Sequence, residues 1–326
     1  MLTVDRLLSE CRNQGLPLSE GKMHYCLISS NRGSFGNDLL LLFRQGDSRP
    51  SLIAKIARTK QNNQSLANEC RWLQSLHEKG VGLGMVPRTF LNGVWQDRTY
   101  FIQEMVSGVG LNEHLRNWRH KGQKLSPVLH QAVDFSVDLY KSRGQLLFGK
   151  SHKAESLFQQ HLQLLDANPQ QIRRIKAAAE TVELVACFCH GDYWATNLLI
   201  EPKRQQLKAV IDYEFASNVC YTFFDLVWFI INLPLFVEPL SAGNMTNVYR
   251  ETFFKSCGRH HSYRNLANSY FQKIGRSTPP LIDLFILGLL YGSFREQQLF
   301  GRSMVVDRCC QELLLHTINC EAHFAL

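Results

Sequence analysis

The stretch CFCHGDYWATNLLI, residues 187–200, is followed after a short polar interval by AVIDYEFAS, residues 209–217. Each unit runs an apolar, β-rich segment into an acid, and the first sets Asn197 five residues after Asp192. Two carboxylates and an amide at strand ends are suited to holding a hard metal ion and whatever that ion binds. The rest of the chain says what that is.

A chain of 326 residues is long for one core and suits two lobes. Hydrophobic content of 45% and charged content of 20% belong to a globular protein and argue against disorder. The opening MLTVDRLLSECRNQ carries Asp5, Arg6 and Glu10 where an export signal needs an unbroken apolar run. LVWFIINLPLFV, residues 226–237, is too short to span a bilayer and is interrupted by Pro234, so it reads as a buried helix. A cytoplasmic location without a transmembrane segment is expected. Ten cysteines scattered through such a chain read as free, buried thiols. Cys187, Cys189 and His190 resemble half a zinc site, but no second cysteine pair stands at matching spacing.

The formal charge of +8 attracts anions. Basic residues gather at 116–124, 141–153 and 173–176, yet none of these runs carries a nucleic-acid-binding module. Solvated helix faces explain them, and no nucleic-acid partner is expected. An anionic surface or acidic substrate stays open as a partner, and the sequence is silent on oligomeric state.

The first third alternates strand signals with one helix. LLLLFRQ and PSLIAKIAR are extended segments separated by the turn residues QGDSRP. Leu66, Cys70, Leu73 and His77 then fall at helical spacing, with Gly80 as the stop. RTYFIQEMV, residues 98–106, returns to strand. Beyond it the chain becomes helical: Leu129, Val133, Val137 and Tyr140 form an apolar stripe, and Asn168-Pro169 reads as an N-cap with Pro in the first turn.

Gly33 and Gly36 sit in a turn between extended segments, where backbone N–H groups can approach phosphate oxygens. Lys55 is the odd polar residue in the run LIAKIA; read singly it is as well explained by a lysine snorkelling from an edge. Glu69, read singly, is a surface charge. Together, a lysine on a strand and a glutamate on the next helix can form an ion pair that aims the lysine at phosphates. The Asp192-x-x-x-x-Asn197 spacing followed by Asp212 is that of a phosphoryl-transfer loop and its metal-binding acid. Such chemistry needs an acceptor hydroxyl to be aimed and phosphate charge to be neutralised.

With HGDYWATN (190–197), VIDYEFA (210–216) and FFDLVWF (223–229), the chain resembles the aminoglycoside phosphotransferase and choline kinase superfamily, a branch of the protein-kinase-like fold. The resemblance runs from about Ile28 to the C-terminal helices. It implies an α+β, bilobal architecture: a small β-rich nucleotide-binding lobe, residues 1–106, and a larger, mainly helical catalytic and acceptor-binding lobe, residues 107–326. The helical insertion would lie at about 110–186. It also implies an ATP-dependent kinase using Mg²⁺, with an alcohol group as acceptor. Asp192 would be the catalytic base, and Asn197 and Asp212 the metal ligands. Lys55 would contact the phosphates with Glu69 as its partner, and Gly33, Ser34, Phe35, Gly36 and Asn37 would cover them. The carbonyl of Glu104 and the N–H of Val106 would pair with the adenine. His190 and Asp225 would brace the loop, or serve as satisfied core polar groups. Trp194 and Glu214 are candidates for the acceptor pocket; for Trp194 and Tyr213 packing is the favoured role.

Gly191 stands where protein kinases carry Arg, and the interval from Asp212 to Asp225 leaves no room for a peptide platform. A small hydroxyl-bearing acceptor is therefore expected over a protein: an amino alcohol, sugar or aminoglycoside-like molecule. Glu214, two residues after Asp212, leans toward the choline kinase branch, whereas SNVCYT after it departs from that branch's pattern. The competing class is a kinase-like protein that binds nucleotide or a partner without catalysis; retention of Lys55, Glu69, Asp192, Asn197 and Asp212 weighs against it.

Overall fold

The computed structural model describes residues 24–29, 36–119, 127–142, 168–182, 186–221, 223–237 and 258–300, with a few isolated positions between them. Gly33, Ser34 and Phe35 lie outside the described residues, as do much of the basic runs at 116–124 and 141–153. The chain divides into two compact units. The first comprises residues 1–108 together with 208–216, and the second residues 109–207 and 217–326.

The first unit is built on a five-stranded antiparallel sheet in the order β1-β2-β3-β5-β4. Its strands are β1 (His24–Ser29), β2 (Asn37–Phe43), β3 (Leu52–Ala57), β4 (Thr89–Trp95) and β5 (Arg98–Glu104). Side chains alternate across the sheet. Leu40, Leu42, Leu52, Ala54, Ile56, Leu91, Tyr100 and Ile102 fill a core on one face, each Leu and Ile contributing roughly 1.5–3 kcal/mol on burial. Lys55 pairs with Leu39 on one side and Phe101 on the other, so it stands on the opposite face.

Helix α1 (Asn63–Glu78) packs against β3, β4 and β5. Leu66, Cys70 and Leu73 are buried as their spacing requires, and Trp72 and Leu76 widen the stripe. The helix ends in a Schellman turn: Gly80 N–H donates to the His77 carbonyl at 3.1 Å and Val81 N–H to Leu76 at 2.9 Å. Gly80 adopts φ +69°, which a side chain would resist.

The second unit is mainly helical. It holds α2 (Leu111–Arg119), α3 (Val128–Lys141), α4 (Pro169–Thr181), α5 (Phe224–Asn232), α6 (Pro234–Val237), α7 (Gly258–Lys273) and α8 (Leu281–Phe300). Leu129, Val133, Val137 and Tyr140 are all buried on α3. Asn168 forms a full capping box on α4, its Oδ1 accepting from Gln171 N–H at 3.0 Å while Gln171 Oε1 accepts from Asn168 N–H at 2.8 Å. The apolar run at 226–237 is split into α5 and α6 at Pro234, and among the described residues no helix is long and apolar enough to cross a membrane. Two short ladders complete this unit. One pairs β6 (Val109–Gly110) with β8 (Leu198–Glu201), the other β7 (Ala186–Cys189) with β10 (Ser217–Tyr221). Strand β9 (Gln206–Val210) carries the chain from the second unit into the first. The architecture is α+β, an antiparallel sheet region followed by a helical one.

Candidate active site

In the first unit, Lys55 Nζ lies 2.6 Å from Glu69 Oε1 and 3.2 Å from Asp212 Oδ1. Neither a snorkelling lysine nor a surface glutamate describes these residues: Glu69 is fully buried and the Lys55 side chain is 11% exposed. Burial by itself pulls an ammonium pKa down. Here the Glu69 and Asp212 carboxylates outweigh it and hold Lys55 above the ordinary lysine value. Burial pushes the Glu69 carboxyl up, against the pull of Lys55. The lysine is thus a fixed cation throughout the neutral range. Its second partner, Asp212, keeps a third of its side chain exposed.

Asp212 has a left-handed backbone, φ 71° and ψ 63°, immediately before the short 3-10 turn Tyr213–Phe215. A non-glycine residue there costs about 1–3 kcal/mol unless its surroundings enforce it. Helix α1 holds the turn that follows. Asn68 Nδ2 donates to the carbonyls of Glu214 at 3.1 Å and Ala216 at 3.0 Å, and Ser65 Oγ donates to Glu214 Oε2 at 3.2 Å. The Glu214 carboxylate, a candidate for the acceptor pocket, is therefore engaged by α1 through Oε2. Tyr213 is wholly buried and packs, as its aromatic bulk favours.

In the second unit, the loop after β7 is organised by Asp225 at the start of α5. One carboxylate oxygen accepts from His190 N–H at 2.7 Å and the other from Gly191 N–H at 3.0 Å. Gly191 takes φ 79°, so the Gly replacing the protein-kinase Arg is also what this turn demands. His190 is fully buried, and its Nδ1 accepts from Asp192 N–H at 3.2 Å. A ring nitrogen that accepts carries no proton, which puts the imidazole proton on Nε2. Asn197 Nδ2 donates to the Asp192 carbonyl at 3.0 Å and to Asp192 Oδ2 at 2.9 Å. That fixes the amide so that its Oδ1 is the atom left to meet a cation.

Tyr193 anchors the loop from beneath, its hydroxyl donating to the Ala132 carbonyl at 2.6 Å and its ring packing against Phe135, His190 and Phe229. Sequence reasoning passed over Tyr193, Ser65 and Asn68. An aromatic between two loop polar residues was the available signal for the first; the other two read as ordinary helix-surface residues. Trp194 packs against Phe236, with ring centroids 6.0 Å apart, and its Nε1 is buried without a hydrogen-bond partner, as is Thr196 Oγ1.

Among the other expected residues, Glu104 ends β5 and its N–H donates to the Arg88 carbonyl at 2.8 Å, and Met105 N–H donates to Ser51 at 3.1 Å. Val106 follows in irregular, half-buried chain. Gly36 has φ 141°, and Asn37 opens β2 with its Oδ1 buried and unpartnered. Among the described residues, no three His, Cys, Asp or Glu side chains gather as a metal cage. The five described cysteines are all free thiols.

The donor chemistry on each unit taken by itself, a partly exposed carboxylate at Asp212 in the first and an amide oxygen at Asn197 in the second, is of the kind that hard divalent cations take. It does not fit a soft metal, which would call for thiolate or imidazole.

The phosphotransferase enzyme family (APH) matches residues 34–243 of the chain. No curated protein sequence gives a significant match. Among solved structures, the chain is similar to the aminoglycoside phosphotransferase APH(3'')-Id from Streptomyces rimosus ATCC10970, in complex with ADP and streptomycin. That likeness has 14% identity, covers 87% of this chain and 99% of the other, and has a TM-score of 0.48. A spectinomycin phosphotransferase, APH(9)-Ia, in complex with ADP and spectinomycin, is similar at 10% identity. It covers 97% of this chain and 92% of the other, again at a TM-score of 0.48. The sequence match takes in Lys55, Glu69, Asp192, Asn197, Asp212 and Asp225 together, and by it this chain belongs to the phosphotransferase enzyme family.

Proposed function

We propose that this phosphotransferase moves the γ-phosphate of ATP to a hydroxyl of a small molecule. The observation that carries the reading is Lys55, ionised and held by buried Glu69 while it also touches the partly exposed carboxylate of Asp212. A cation aimed this way neutralises phosphate oxygens. In the first unit Lys55 takes the α/β-phosphates, the backbone at Gly36 and Asn37 covers them, and Glu104 and Val106 hold the base. Gly33, Ser34 and Phe35 belong to the same proposed phosphate cover.

Asp212 and Asn197 would hold Mg²⁺, which when bound neutralises phosphate charge in transfer. Asp192, oriented by Asn197 Nδ2 and by its own N–H to His190, accepts the proton of the acceptor hydroxyl. The acceptor oxygen forms the new bond to phosphorus as the bond to the β-phosphate oxygen breaks. ADP leaves, and the proton passes from Asp192 to solvent. His190 and Asp225 position the loop and make no contact with the reacting atoms in this scheme. Trp194 is assigned to the acceptor pocket; Glu214, tied to Ser65, is assigned to holding its own segment.

The test is a panel of aminoglycosides, simple sugars, choline, ethanolamine, thiamine and generic protein substrates with Mg-ATP, run beside Asp192→Asn. Asp192-dependent phosphorylation of a small hydroxyl compound is the expected result. Phosphorylation of protein alone would overturn the small-molecule acceptor, and nucleotide binding without any transfer would favour the non-catalytic class.

A further inference from the structure

The three residues Ser65, Asn68 and Glu69 stand at i, i+3 and i+4 on α1 and so share one helix face. All three are spent on a single stretch of the first unit. Glu69 reaches it through Lys55 and Asp212, Ser65 through the Glu214 carboxylate, and Asn68 through two backbone carbonyls. The Asn68 bonds differ in kind from the others. They reach the carbonyls of Glu214 and Ala216 at the end of a 3-10 turn, where helical backbone leaves carbonyls without an intrahelical donor. The amide orientation is fixed from behind, because Arg71 Nη2 donates to Asn68 Oδ1 at 2.6 Å. That leaves Nδ2 facing the two carbonyls.

From this geometry we infer that Asn68 is a positioning residue for Asp212. The left-handed backbone at Asp212 is costly and would relax if the turn after it were released. Asn68 pins that turn to the helix that carries Glu69, so one helix sets both the lysine's partner and the acid. The inference rests on the proposed role of Asp212 in holding Mg²⁺ at a nucleotide.

The deciding variant is Asn68→Asp. It keeps size and the Arg71 contact but turns a donor into an acceptor facing two carbonyl oxygens. Asn68→Ala, which introduces no charge, is run in parallel should the aspartate lower Tm. Two readouts are taken on the full chain. The first is amide hydrogen exchange over residues 212–217 without ligand. The second is ADP affinity measured with and without Mg²⁺.

Faster exchange at 212–217, with exchange in α1 unchanged, is expected. So is an Mg²⁺ half-saturation raised about tenfold, the scale of losing one to two net hydrogen bonds, while Mg²⁺-free ADP affinity stays within about twofold. A general structural role would lower both affinities together with Tm, and that outcome overturns the inference. Unchanged exchange at 212–217 in both variants also overturns it, as does faster exchange with an unaltered Mg²⁺ requirement. If the unsubstituted protein shows no Mg²⁺-dependent nucleotide binding, the proposed function of Asp212 falls. The exchange comparison then decides separately whether Asn68 orders the turn.

Discussion

Substituting Asp225 tests whether the loop at His190–Asp192 is held by one buried carboxylate. Asp225 is 5% exposed and takes the N–H groups of His190 and Gly191, at 2.7 and 3.0 Å. Both donors are buried. A hydrogen bond to a charged acceptor contributes about 1.5–3 kcal/mol net, and a buried N–H left unpaired costs about 1–3 kcal/mol. Asp225→Ala removes the acceptor of both and leaves room for water to recover part of the loss, so about 3–5 kcal/mol is expected. Asp225→Asn keeps one oxygen for the shorter bond to His190 but turns an NH₂ toward Gly191 N–H, with an expected loss of about 2 kcal/mol. Urea denaturation followed by circular dichroism reads both values, and the slope of the transition checks that the same surface is exposed in each variant. Transfer activity should fall in both, because the His190–Asp192 turn loses its anchor. An Asp225→Ala protein within about 1 kcal/mol of the parent, with full activity, would refute the reasoning and leave Asp225 an ordinary helix-cap acid.

The two site carboxylates should separate by assay. Asp192→Asn is expected to keep Mg-ATP affinity while turnover drops about 10²–10⁴-fold, whereas Asp212→Ala should weaken Mg²⁺-dependent nucleotide binding first; calorimetric titration beside steady-state rates showing the reverse would exchange their roles. Lys55→Met and Glu69→Ala should be strongly non-additive in activity, since Glu69 acts through a 2.6 Å contact to Lys55, and a double variant with fully multiplied losses would mean that the pair is not functional. The pH dependence of the Lys55→Met stability difference has a definite sign. A lysine pKa raised by folding contributes stability that is fully present below the ordinary value of about 10.4. That contribution is lost as pH rises through the higher folded value, so the gap between parent and variant should be level from neutral pH to about pH 9 and shrink only in strong alkali. Iodoacetamide at pH 8 should label exposed Cys26 ahead of Cys70, Cys187, Cys189 and Cys220. Cys70 is slowed further because burial, reinforced by Glu69, pushes its thiol up to about 11; equal labelling in peptide mass spectra would contradict the packing.

Much of the chemistry was legible in the chain because it is local. The Asp192-x-x-x-x-Asn197 spacing is short enough that the loop's own turns bring Asn197 Nδ2 onto Asp192, and the capping box at Asn168 and Gln171 closes within one helical turn. Alternation in LIAKIA put Lys55 on one side of a strand, and helical periodicity put Leu66, Cys70 and Leu73 on one side of α1. What periodicity could not give was the identity of the partners across the sheet and helix. Glu69 reads as a surface charge until α1 is laid on the face of β3 that carries Lys55, where its buried carboxylate meets the lysine at 2.6 Å. Asp212 lies 157 residues from Lys55, and its membership of the first unit is a fact of tertiary structure alone. The same holds for the contact of Glu214 with Ser65, and for Asn68, whose use depends on two carbonyls nearly 150 residues away. Sequence determines which groups can ionise, donate or ligate and how each short segment turns. Only the folded chain decides which of them are taken out of water together, and desolvation makes those few pairings matter.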